Sequence, residues 1–230
     1  MIMERFKKFL PFVLFGFGLF VLIVVFFVVK GGKKDVETVD ETKLLEVNFD
    51  SRPVVSLTPT SDGHWLNLKI DKIVLPKTAS VDYELLYSLP DGRTQGVPGN
   101  VSLNSDTKIE RKLLLGSESS GKYRYDEGVK DGSLTIRLRD ERGKLLAKFS
   151  TKFHLQSSDL EITSVDENFK YVLDKKPKGV FFVTMETFGL MDTSVQSVAS
   201  GPYGVFTSDA NLASGVAEGW KVVDLNIFYK

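Results

Sequence analysis

The sequence contains no cysteine. That excludes disulfides, cysteine nucleophiles and thiolate metal sites, and it leaves the cellular compartment open. Histidine is nearly absent, with only His64 and His154 in 230 residues. Most zinc sites and most acid–base catalysis near neutral pH draw on histidine, and two isolated copies point to neither. Net charge is lacking too, because 30 basic residues balance 30 acidic ones. No overall field draws such a chain to nucleic acid, so nucleic acid is not expected as a partner. Helical stripes are missing outside one N-terminal run.

That run is Phe9 to Val29, 21 residues without a charge and with seven phenylalanines. A helix of this length spans about 30 Å, the thickness of bilayer hydrocarbon. Pro11 falls in the first turn, where its missing N–H is harmless. Gly16 and Gly18 do not share a helix face, so they form no small-xxx-small dimer motif. The apolar core exceeds a signal-peptide h-region, and Val28-Val29-Lys30-Gly31-Gly32 offers no small-residue cleavage pattern. Residues 9–29 are therefore expected to be a transmembrane signal anchor in contact with the lipid bilayer. Arg5, Lys7 and Lys8 before it nearly match Lys30, Lys33 and Lys34 after it. A short basic tail ahead of an apolar core still favours residues 1–8 in the cytoplasm and the bulk of the chain outside the cell membrane. Residues 30–42 (KGGKKDVETVDET) are rich in charge and poor in apolar side chains, and read as a flexible tether.

From Leu44 onward the pattern has the period of half-buried strands. Leu66, Leu68 and Ile70 alternate with Asn67, Lys69 and Asp71. Val81, Tyr83, Leu85, Tyr87 and Leu89 share a face, and so do Leu134, Ile136 and Leu138. Turn signals recur at Asp62-Gly63, Pro90-Asp91-Gly92, Pro98-Gly99-Asn100, Asp131-Gly132 and Arg142-Gly143. Short strands at such spacing suggest an all-β sandwich.

One hairpin can be set in register. A turn at Glu141–Lys144 places Asp140 opposite Leu145, Leu138 opposite Ala147, Ile136 opposite Phe149 and Leu134 opposite Thr151, which puts the last six of these on one face. The other face then carries Arg137, Arg139, Lys148 and Lys152. These four form a candidate contact for an anionic partner, envelope polymer or lipid head groups. After Gln156-Ser157-Ser158-Asp159, which reads as a junction, strands are expected at 160–165, 169–173, 179–188, 203–207 and 221–229. The organisation expected is a β-sandwich domain over 43–156 and a smaller β-domain over 157–230. The rival is one larger sandwich.

Several local patterns imitate known chemistry. Gly116, Gly121 and Lys122 in GSESSGKY imitate a phosphate-binding loop. Tyr123 stands where that loop needs Ser or Thr, and no helix follows. Ser119-x-x-Lys122 lacks the partner motifs of penicillin-binding proteins. Leu75–Ala79 (LPKTA) imitates a sorting signal, but lies mid-chain. Asp126, Glu127 and Asp131 surround Lys130 in a spacing unlike a calcium loop, and read as a solvated hairpin tip. Asn100-Val101-Ser102 fits a glycosylation acceptor. No catalytic residue, metal-ligand set or cofactor site is expected.

Residues 112–155 (KLLLGSESSGKYRYDEGVKDGSLTIRLRDERGKLLAKFSTKFHL), with VTMETFGL and SGPYGVF in 180–206, resemble single-pass surface proteins of small-genome bacteria. The resemblance implies an Ig-like β-sandwich ectodomain behind an N-terminal transmembrane helix, and brings no functional residues. The expected function is a non-catalytic binding or structural module of the cell envelope. An accessory subunit bound to another membrane protein is the alternative, and an envelope enzyme ranks below both.

Overall fold

The computed structural model describes residues 17–25, 44, 46–223 and 226–230. The chain divides into two units, Met1–Val39 and Asp40–Lys230. In the first, residues 17–25 are helical and exposed. Among the described residues no helix is long and apolar enough to cross a membrane. The expected tail 1–8, the expected tether 30–42 and the rest of the expected span 9–29 lie outside the described residues.

The second unit is built of antiparallel strands after a short 3-10 turn at Phe49–Ser51. They are β1 (Val54–Pro59), β2 (Trp65–Asp71), β3 (Ser80–Ser88), β4 (Thr94–Ser102), β5 (Ile109–Leu114), β6 (Gly116–Ser119), β7 (Lys122–Tyr125), β8 (Asp131–Arg139), β9 (Leu145–Ser157), β10 (Glu161–Thr163), β11 (Lys170–Leu173), β12 (Phe181–Glu186), β13 (Tyr203–Thr207), β14 (Gly215–Val216), β15 (Lys221–Val223) and β16 (Ile227–Tyr229). One sheet of eight strands has the order β15-β16-β13-β12-β9-β8-β3-β4. Two three-stranded sheets, β1-β2-β5 and β10-β11-β14, accompany it, and among the described residues β6 and β7 pair only with each other.

Side-chain alternation explains how these layers pack. Leu66, Leu68 and Ile70 of β2 are buried with Val81, Leu85, Leu134, Ile136 and Phe153 of the large sheet. This first core also takes Val183 and Met185 from β12 and Phe206 from β13. The intervening positions of the same two strands, Phe182, Tyr203 and Val205, join a second core with Ile162, Phe169, Tyr171 and Leu173. Successive strand side chains point to opposite faces, so the two cores lie on opposite faces of β12 and β13. That is why "FFVTME" (181–186) shows no alternation: a strand covered on both sides reads as a continuous apolar run. The second core is stiffened by rings. Phe169 lies 5.3 Å from Tyr203, 5.1 Å from Trp220 and 5.2 Å from Phe228.

The large sheet runs without a break through the junction expected near 156–159. β9 extends to Ser157, and β12 pairs with it from Phe181↔Ser157 to Met185↔Phe153. The expected β8–β9 register is found from Leu134↔Thr151 to Leu138↔Ala147. It shifts at the end, where Leu145 faces Arg139 instead of Asp140. The turn needs Gly143 at φ +80°, and the Asp140 carboxylate accepts the N–H groups of Arg142 and Lys144. A type I turn followed by a left-handed glycine produces such a bulge.

Three turn or strand expectations are corrected. Pro98-Gly99-Asn100 lies inside β4, which pairs with β3 over its full length. β4 is an edge strand, where proline is tolerated, and Gly99 leaves room for the Tyr83 ring, 2.2 Å from where a Cβ would sit. Asp131-Gly132 opens β8 because the Gly132 backbone packs against the Phe153 ring, 2.4 Å from the site of a Cβ. The expected strand 221–229 is two short strands that fold back on each other, Lys221↔Tyr229 to Val223↔Ile227.

Two stability outcomes follow from β12. Phe182 is fully buried, so Phe182→Ala should lose about 3–5 kcal/mol in denaturant unfolding. Thr184 is also fully buried, and its hydroxyl finds no partner among the described residues. Thr184→Val should be neutral or stabilising by about 1 kcal/mol in the same assay, because it removes an unsatisfied polar atom.

Candidate functional site: an aromatic arm beside a polar cleft

The stretch GSESSGKY forms the β6–β7 hairpin, with Gly116 opposite Tyr125 and Ser119 opposite Lys122. It is no phosphate loop, and it is more ordered than the simple connection its Ser/Gly content suggests. Ser120 at φ +52° and Gly121 at φ +75° make the two-residue turn. Two left-handed central residues match the twist of paired strands. Gly116 is required by close approach, since a Cβ there would lie 2.2 Å from the Arg124 carbonyl oxygen.

The arm is fastened at its base. The Leu115 N–H donates to His64 O, the Asp126 N–H to Leu115 O, and the Tyr87 hydroxyl to Asp126 Oδ2 at 2.8 Å. Burial, and then the Asp126 carboxylate, push the Tyr87 phenol well above its usual range. The loop Asp126–Lys130 is therefore no hairpin tip: it ties the arm to β8.

Tyr123 and Tyr125 sit two apart on β7 and share a face. Their rings are 6.2 Å apart and 8° from parallel. The His64 ring stacks on Tyr125 at 4.1 Å, and Trp65 meets Tyr123 edge-on at 5.4 Å. The Lys112 ammonium stands 4.8 Å over the indole of Trp65. The row stays open to solvent, with Tyr123 48% and Tyr125 38% exposed.

His64 joins this row to a cleft of about 490 Å³ whose walls include Asp62, Asp126, Glu127, His154 and Gln156. The two histidines, 90 positions apart in sequence, thus line one cavity. Each has structural partners as well. His154 lies on the polar face of β9, as its alternation implies, but β10 covers it there: Nδ1 is 3.1 Å from Thr163 O, and Nε2 is 3.8 Å from Asp131. Asp62 accepts from the Thr60 hydroxyl and the His64 N–H. The Thr60 hydrogen bond leads in holding its carboxyl below the usual range, against the opposing effect of burial. Among the described residues, no group of three His, Asp or Glu is placed to hold a metal ion.

Models of known protein families give no match to the chain, and curated proteins give none either. The site must be read from its own chemistry.

The cationic face expected from the β8–β9 hairpin takes its partners from β3. Arg139 Nε donates to Asp82 at 2.5 Å, and the Arg137 guanidinium lies 3.5 Å from Glu84. Asn100 completes the Asp82 carboxylate at 2.6 Å. Lys148 stands opposite Arg137 and Lys152 opposite Ser133. Asp82 and Glu84 are 57 and 53 residues from their arginines, so no local pattern could pair them. The aromatic arm was also missed, although Tyr123-Arg124-Tyr125 alternates and Ser-Gly precedes it.

Partial burial works to raise the Asp82 carboxyl, but hydrogen bonds from Arg139 and Asn100 and the guanidinium charges outweigh it and hold the group low. A carboxyl depressed in the folded state stabilises above its unfolded value, about 3.9, and that stability is lost as pH falls through the folded value. Unfolding midpoints should therefore fall as pH drops below about 4. Asp82→Asn should lower stability at pH 7 and flatten that acid decline, and an unchanged slope would show the pair to be inert.

Proposed function

We propose that the chain is a non-catalytic binding module of the cell envelope, an Ig-like β-sandwich held outside the membrane by the segment 9–29. The observation that carries the binding role is the arm. Among the described residues its two strands join no other sheet, and an isolated hairpin is marginal in water. The molecule nevertheless holds it out, pinned at its base, with two tyrosines exposed. Exposed aromatic groups on a fixed scaffold are the usual material of recognition sites. The anchoring role rests on the uncharged run of 21 residues from Phe9 to Val29, long enough to span a bilayer. The face of Arg137, Arg139, Lys148 and Lys152 is a weaker choice of contact surface, because Asp82 and Glu84 answer both of its arginines.

Protease treatment of intact cells bearing a C-terminal epitope tag tests the placement. Loss of the tag without lysis is the expected result. A tag that survives in cells stripped of any outer layer, and disappears only when the membrane is opened, would place the β-unit inside and remove the envelope role.

A further inference from the structure

We infer that the arm and cleft form a binding site for a neutral, hydroxyl-rich glycan, in which sugar rings lie against Tyr123 and Tyr125 and their hydroxyls reach the cleft beside His64. This deepens the binding-module reading and rests on it. Three features select that chemistry. The first is the ring row itself. Sugar rings present weakly polarised C–H groups, which favour the negative π-face of an aromatic ring. Tyr123, Tyr125 and His64 place three near-parallel rings in sequence, two of them substantially exposed.

The second feature is continuity. The row ends at His64, which is also a wall of the 490 Å³ cleft, a volume within the range of small-ligand sites. The walls offer fixed acceptors and donors. Asp62 and Asp126 are oriented by bonds to one oxygen each, from Thr60 and from Tyr87. Gln156 is held by bonds to Thr163 and Glu161. Polar groups held in place lose little freedom on meeting a hydroxyl.

The third feature is charge. Four carboxylates, Asp62, Asp126, Glu127 and Asp159, line the cleft against the single ammonium of Lys130, whereas Lys112, Lys122 and Arg124 outnumber Glu118 around the arm. The cleft therefore disfavours an anion and the arm a cation, while the carboxylates of the cleft are good acceptors for hydroxyl groups. What remains is recognition by ring faces and hydrogen bonds, the two things an uncharged saccharide offers.

Isothermal titration of the full-length protein with chitohexaose, with cellohexaose and with dextran sulfate as an anionic polymer tests the site. At least one oligosaccharide should bind, and Tyr123→Ala with Tyr125→Ala should weaken it about tenfold or more. The double Phe variant keeps the rings and should stay within about threefold of wild type. Gly116→Ala, which touches no ring, should weaken binding by distorting the arm. Circular dichroism of each variant reports folding. Binding that survives the double Ala change in a folded protein would overturn the site while leaving the module reading intact. Binding to anionic polymer with neither oligosaccharide would overturn the glycan assignment and again leave the module reading. No binding to any of these probes would overturn the glycan site, while the module reading is decided separately by the protease experiment.

Discussion

Two strands carry the structure because they are buried on both sides. β12 and β13 give Val183, Met185 and Phe206 to one core and Phe182, Tyr203 and Val205 to the other. Either three-stranded sheet alone would leave an apolar face of these strands in water, at roughly 25 cal/mol for each Å² exposed. Covering both faces makes each small sandwich a condition of the other. The chain has no disulfide to hold a small C-terminal lobe, and small lobes bury too little surface to stand alone. Sharing a sheet, with the aromatic cluster around Phe169, supplies what a cross-link supplies elsewhere.

The same sharing decides how much the sequence reveals. Strands with one wet face announce themselves: Leu66, Leu68 and Ile70, or Leu134, Ile136 and Leu138, alternate cleanly, and the β8–β9 register follows from them. Its final shift escapes because it depends on Gly143 at a positive φ, a backbone fact. β4 was hidden behind Pro98 and Gly99, residues that mark a turn in most places and are tolerated at an edge. The unity of the large sheet could not be read from spacing. The polar stretch after Leu155 resembles a linker, while the β9–β12 pairing that spans it is a tertiary choice. Charge pairing was least legible, since Asp82 and Glu84 lie in a strand that no local rule sets beside β8.

The arm shows the opposite economy. Its eight strand residues have no sheet to lean on, so they lean on rings, with His64 against Tyr125 and Trp65 against Tyr123. Both partners come from the start of β2, itself fixed by Leu66 and Leu68 in the first core. The core thus positions the arm through two neighbouring residues, and the loop that follows the arm, Asp126–Lys130, lines one side of the cleft. A site built this way is rigid at its root and exposed along its length, which suits contact with an extended ligand.

Hydrogen exchange on the native protein is the most direct test of the shared sheet. Amides of Val183 and Val205 should exchange only through global unfolding, at the same free energy as those of Tyr83 and Ile136. Exchange of β12 and β13 at a clearly lower free energy, while β3 and β8 stay protected, would show two lobes that unfold separately and contradict the account.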